Sequence, residues 1–123
     1  MVEKARILLV DDEPNIIKAL TARLEANHYE VVSASNGLEG LEEVRKGKPD
    51  LILLDINMPE MDGYSFVKAL KREETMNSPP IIVLTARGDK MKDLFEMEGV
   101  CDYLVKPYRG EELLDKIKQH LKE

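Results

Sequence analysis

Asp55 closes Leu51-Ile52-Leu53-Leu54, four apolar residues in a row, and Asp11-Asp12 follow a second such run, Ile7-Leu8-Leu9-Val10. Short apolar runs of this kind read as buried strands. A buried strand tolerates an acid only at its mouth, where the charge reaches water or a cation. Thr85 ends a third run, Ile81-Ile82-Val83-Leu84, and Lys106 ends a fourth, Tyr103-Leu104-Val105. Three carboxylates brought together repel one another unless a cation or a proton intervenes. An oxygen-rich, nitrogen-poor set suits Mg²⁺, with Mn²⁺ as a substitute, because these ions take a few carboxylates plus water and phosphate oxygens. The two histidines, His28 and His120, fall in a helix-to-strand connection and in the C-terminal tail, which argues against zinc. A carboxylate beside such a cation can attack phosphorus and form an acyl phosphate. The oxygens on phosphorus then need cover. The cation, the Lys106 ammonium, and the Thr85 hydroxyl with nearby backbone N–H groups can each serve one of them.

No member of this set is diagnostic alone. Asp and Glu make up 24 of the 123 residues, so adjacent acids also arise at Glu42-Glu43, Glu73-Glu74 and Glu111-Glu112. Threonine is a common strand residue, and Lys106-Pro107 reads equally well as a turn. The signal is the joint placement of all five residues at the ends of successive apolar runs. In the loop Asn57-Met58-Pro59-Glu60-Met61-Asp62-Gly63, Pro59 fixes φ and Gly63 opens conformations closed to other residues. Asn57 can present a backbone carbonyl or its side chain to a metal. A cis peptide at Lys106-Pro107 would aim the ammonium into the site, although only a minority of X–Pro bonds are cis.

The elements that position these groups alternate. Strands are expected over 6–10, 30–34, 51–54, 81–84 and 103–105. Between them, Ile16, Ile17, Leu20 and Leu24 recur at helical spacing, as do Leu38, Leu41 and Val44, then Tyr64, Val67 and Leu70. Met91, Leu94, Phe95 and Glu98 outline a further helix, and Leu113, Leu114, Ile117 and Leu121 the last. The third strand is apolar throughout, as expected when helices cover both faces of a parallel sheet. The βαβαβαβαβα order calls for a doubly wound α/β domain, for which 2-1-3-4-5 is a common strand order. With that order the first and third strands are neighbours, roughly 4.8 Å apart. Asp11, Asp12 and Asp55 then converge at a topological switch point.

A chain of this length makes one domain, residues 1–123, with a single core. The net charge of −6 argues against direct binding to nucleic acid or to an anionic membrane. No apolar stretch approaches a membrane span, and MVEKARILLV is too short in apolar residues for a signal peptide. One cysteine, Cys101, can form no internal disulfide, so the expected compartment is the cytoplasm. Cys101 reads as a small apolar filler.

VDDE at 10–13, DINMPEMDG at 55–63, LTA at 84–86 and YLVKP at 103–107 stand in the order and spacing of a known family. Over essentially its whole length the chain resembles the receiver domain of bacterial two-component response regulators, a flavodoxin-like (βα)5 fold. The resemblance implies a phosphorylation-dependent switch whose donor is the phosphohistidine of a histidine kinase or a phosphotransfer protein. It makes Asp55 the acceptor and a metal ligand, with Asp11, Asp12 and the backbone carbonyl of Asn57 completing the Mg²⁺ ligands. Lys106 would contact the phosphoryl oxygen or the acceptor carboxylate, and Thr85 would move toward the phosphoryl group. Tyr103 matches the switch aromatic, turning into the space Thr85 leaves and altering the face made by the helix over 91–98, the fifth strand and the last helix. Without the resemblance, Tyr103 reads as a half-buried tyrosine on a helix, and the two readings are compatible. Asn57 and Arg87 occupy the positions that modulate the lifetime of the acyl phosphate. Such a protein catalyses its own phosphorylation and dephosphorylation without being a conventional enzyme.

Phe95 and Glu98 stand where the family has small residues, so the helix over 91–98 is expected to pack differently. Competing functions fit less well. A haloacid-dehalogenase-type phosphohydrolase needs a second acid two residues after the nucleophile, where this chain has Asn57, and a substrate cap. A nucleotide site lacks its glycine-rich loop, since Asp11-Asp12-Glu13-Pro14 occupies that place. A phosphorylation-independent docking module is the non-catalytic alternative. The receiver is expected either to stand alone, contacting a downstream protein, or to belong to a longer transcription factor, enzyme or hybrid kinase with an output domain. A monomer is the default, with a phosphorylation-promoted dimer as the alternative.

Overall fold

The computed structural model describes residues 4–55, 63–73, 79–85 and 100–121. Its elements are β1 (Arg6–Val10), α1 (Pro14–Ala26), β2 (Glu30–Ala34), α2 (Gly37–Lys46), β3 (Leu51–Asp55), α3 (Gly63–Glu73), β4 (Ile81–Thr85), β5 (Val100–Val105) and α4 (Gly110–Leu121). The helix expected over 91–98 lies outside the described residues, as do Phe95 and Glu98.

The five strands form one sheet in the order β2-β1-β3-β4-β5, and every pairing is parallel. Successive residues of a strand face opposite sides, and here both sides are covered. Ile7, Leu9, Leu51, Leu53, Ile82 and Leu84 pack with Leu20 and Leu24 of α1 and Leu113 and Ile117 of α4. Leu8, Val10, Ile52, Leu54, Ile81 and Val83 pack on the other side with Leu41 of α2 and Phe66, Val67 and Leu70 of α3. That double coverage is why the central strands read as unbroken apolar runs rather than as an alternation.

Local chemistry sets the helix boundaries. Pro14 occupies the first turn of α1, where its missing N–H leaves no bond unmade. Asn36 caps α2, its Oδ1 accepting the N–H of Glu39 at 2.9 Å, while Glu39 Oε1 accepts the N–H of Ser35 at 2.9 Å. After α1 the chain turns through His28 at φ 69°, a left-handed conformation that favours glycine.

Two expectations need correction, those for His120 and Cys101. The helix marked by Leu38, Leu41 and Val44 is present, and it turns Gly37, Gly40 and Leu41 inward while leaving Leu38 56% exposed. A Cβ on Gly40 would lie 2.9 Å from Phe66 Cε1, so the missing side chain is what lets α2 settle on that ring. His120 is not in a tail but in the last turn of α4. Cys101 is exposed rather than a core filler. Although the residue is exposed, its thiol lies half-buried against the carbonyl of Ile81 at 3.4 Å, and that partial loss of water, with the charge of Asp102, pushes its pKa up to about 11.

Strand ends also shift. Asp55 pairs with Leu84 and Thr85 with Val105, so both residues belong to their strands. β5 begins at Val100, with a register shift against β4 between Ile81 and Ile82. Among the described residues no helix is long and apolar enough to cross a membrane.

Candidate functional site

Register fixes the site. Val10 pairs with Leu54, so Asp11 and Asp55 each lie one residue beyond that pair on adjacent strands. The N–H of Asp11 donates to the carbonyl of Ala34 at 3.0 Å, which holds it at the sheet end. The N–H of Lys106 donates to the carbonyl of Thr85 at 2.7 Å and carries the β4–β5 ladder one step past β5. Asp11, Asp55 and Lys106 thereby meet at the carboxyl edge of three strands, as the sequence placed them. Thr85 stands at the same edge. By alternation it falls on the face of Ile81 and Val83, toward α3, which is also the face on which Tyr103 packs. Tyr103 pairs with Val83, two residues before Thr85.

Carboxylate oxygens of Asp11, Asp12 and Asp55 all lie within 4.8 Å of one another. Asp11 is 0% exposed and Asp55 5%, whereas Asp12 is exposed. Lys106 Nζ donates to Asp55 Oδ2 at 3.3 Å. Asp11 Oδ1 accepts the N–H of Glu13 at 2.9 Å, but Oδ2 is buried with no hydrogen-bond partner. Burial is the main reason that Asp11 is pushed up to about 6. The Glu13 N–H and Lys106 oppose the rise, and the charges of Asp55 and Asp12 add to it.

An unsatisfied buried carboxylate oxygen beside two more acids is costly unless something positive joins it. The donors are all oxygens, three carboxylates at one rim, so the set fits a small hard divalent cation better than a soft one. The Lys106-Pro107 peptide is cis, the minority form that the sequence left open. Asn57 and Arg87 lie outside the described residues.

Two features escaped the sequence reading. Tyr108 packs against the core beside α1 and α4. Burial first, then the charges of Asp11 and Asp55, push its phenol up, so it stays protonated near the acid pocket. Asp102 gathers Lys116 and His120, each at 2.9 Å. The one available signal was the i,i+4 spacing of Lys116 and His120, which puts both on one side of α4.

The arrangement has known counterparts. The model of the response regulator receiver domain matches residues 7–118. The probable transcriptional regulator ycf27 of Pyropia yezoensis is 42% identical over 121 residues, 98% of this chain and 49% of the relative. The chain thus spans about half the length of the curated relatives of that kind. Among solved structures, the chemotaxis protein CheY4 of Vibrio cholerae superposes with a TM-score of 0.87 at 34% identity, covering 95% of this chain and 98% of the other. The response regulator TrrA of Thermotoga maritima, solved in complex with Mg²⁺-BeF, gives 0.83 at 36% identity, covering 94% and 97%.

Proposed function

Because the chain belongs to the response regulator receiver domain family, we propose that Asp55 accepts a phosphoryl group from the phosphohistidine of a histidine kinase or a phosphotransfer protein. The observation that carries this reading is the pairing of a nearly buried Asp55 with Lys106 at 3.3 Å beside two further carboxylates. An oxygen of Asp55 attacks phosphorus, the P–N bond to the donor imidazole breaks, and the electron pair leaves with that nitrogen. Asp55 then carries an acyl phosphate, and the Lys106 ammonium, released from the carboxylate, neutralises a phosphoryl oxygen.

Asp11, Asp12 and Asp55, with the backbone carbonyl of Asn57, are the proposed Mg²⁺ ligands. When bound, the ion supplies charge neutralisation that lets the acids coexist with an incoming phosphoryl group. The orphaned Asp11 Oδ2 and the TrrA complex with Mg²⁺-BeF support that choice. Mn²⁺ would substitute.

Phosphorylation adds roughly −1.5 to −2 charge at neutral pH. Thr85, at the same edge, is the hydroxyl drawn to it, and Tyr103 on the same sheet face fills the space vacated. Arg87 and Asn57 set how fast water reaches phosphorus. The changed surface is read by a downstream protein or, as in relatives twice as long, by a further segment of the same polypeptide. The proposed setting is the cytoplasm, with a monomer that phosphorylation can drive to a dimer.

Incubation with acetyl phosphate and Mg²⁺ tests the reading. An acid-stable, base-labile adduct is expected on the wild type and not with chelator or in Asp55→Asn. Equal adduct in Asp55→Asn would put the acceptor at another residue, and no adduct on the wild type with a cognate kinase present would leave a phosphorylation-independent docking module as the better account.

A further inference from the structure

Asp102 immediately precedes Tyr103 on β5, an edge strand of the sheet. Three donors converge on its carboxylate. Oδ1 accepts the backbone N–H of Tyr103 at 2.8 Å and Lys116 Nζ at 2.9 Å, and Oδ2 meets His120 Nε2 at 2.9 Å. An edge strand leaves every second N–H without a ladder partner. Here the side chain of Asp102 closes that gap at Tyr103, and two side chains one turn apart on α4 hold the carboxylate in place. Burial alone would raise the acid, yet the bonds from His120, Lys116 and the Tyr103 N–H hold it below the ordinary carboxylate range. The grip falls where β5 most needs one, because its pairing with β4 slips just before Asp102, between Ile81 and Ile82.

We propose that Lys116 and His120 are positioning residues that act through Asp102 to fix the backbone of Tyr103, so that its response to phosphorylation is a side-chain rotation on a stationary strand. The part concerning phosphorylation rests on the switch reading of Tyr103 given above; the clamp itself does not. An edge strand paired on one side alone, with a register shift two residues before Tyr103, would yield more readily under the ring, and displacement of the backbone would dissipate the movement that α4 is meant to sense. Both arms of the clamp come from the last two turns of α4, which ties the switch residue to that helix by hydrogen bonds as well as by packing.

Two readouts on the intact protein test this. Amide exchange at Tyr103, measured without phosphodonor, should accelerate about tenfold in His120→Leu and in Lys116→Met, with His120→Gln, which keeps a donor, recovering most of the protection. Ring resonances of Tyr103, compared before and after phosphorylation, should then show a response at least halved in both clamp-breaking variants. Mg²⁺ affinity and the rate of phosphoryl uptake should stay within about twofold, because neither residue touches the acid pocket. Unchanged exchange at Tyr103 in both folded variants would overturn the clamp, and Lys116→Met decides the matter alone if His120→Leu does not fold. A wild-type Tyr103 ring that ignores phosphorylation would instead overturn the switch reading, while the exchange result still decides the clamp.

Discussion

Replacing Asp11 by Asn should make the metal-free protein more stable at neutral pH, although it removes a residue of the candidate site. Asp11 is fully buried, and its Oδ2 has no hydrogen-bond partner. Its acid is pushed up to about 6, principally by burial, against an ordinary value of about 3.9. A rise of about two units, at about 1.4 kcal/mol each, corresponds to roughly 3 kcal/mol spent in holding the ionised form at pH 7. The sign follows from linkage. Between about pH 4 and 6 the folded protein binds the proton and the unfolded chain has lost it, so stability from this group is full below pH 4 and falls as pH rises through 6. An amide at position 11 keeps an acceptor for the Glu13 N–H and turns a donor toward the neighbouring carboxylates. The expected gain in chelator is therefore about 1–3 kcal/mol at pH 7.5, shrinking toward zero at pH 4. Urea unfolding of both proteins across that range at fixed ionic strength measures the gap, and Mg²⁺ should narrow it by stabilising the wild type alone. A variant less stable than the wild type at pH 7.5 without metal, or a gap independent of pH, would refute the reasoning.

Other perturbations have equally definite outcomes. Lys106→Met takes away the ammonium 3.3 Å from Asp55 and should slow phosphoryl uptake on the order of 100-fold, read as the initial rate of adduct formation by intact mass. His28→Gly relieves a left-handed backbone at φ 69° and should raise stability by roughly 0.5–1 kcal/mol in chemical unfolding. Gly40→Ala would set a methyl 2.9 Å from the buried ring of Phe66. Overpacking of about 1–3 kcal/mol should outweigh the roughly 1 kcal/mol gained in helix propensity, giving a lower melting temperature than the wild type.

The parts of this fold that were legible in the sequence are those set by short-range pattern. β1, β3 and β4 carry apolar residues on both faces, and this is a signal that few other arrangements produce. The site residues were legible because a charge or hydroxyl ending such a run stands out against it. β5 was half missed, since Cys101 and Asp102 look like loop residues until the partners of Asp102 on α4 are known. No local pattern announces bonds from residues 14 and 18 positions later. Helical spacing at Leu38, Leu41 and Val44 marked α2 but not its inward face, which is chosen by its neighbours: Gly40 yields room to Phe66, a contact between α2 and α3. The burial of Asp11 was also hidden, because an acid at a strand mouth can be wet or dry depending on what covers it.

The central claim is that the carboxylate of Asp55, and no other, receives the phosphoryl group. Borohydride reduces an aspartyl phosphate to homoserine, which marks the acceptor position permanently. After phosphorylation in Mg²⁺, reduction and peptide sequencing by mass spectrometry, homoserine is expected at position 55 and nowhere else. Homoserine at Asp11 or Asp12, or a phosphorylated protein that yields none at all, would contradict the account.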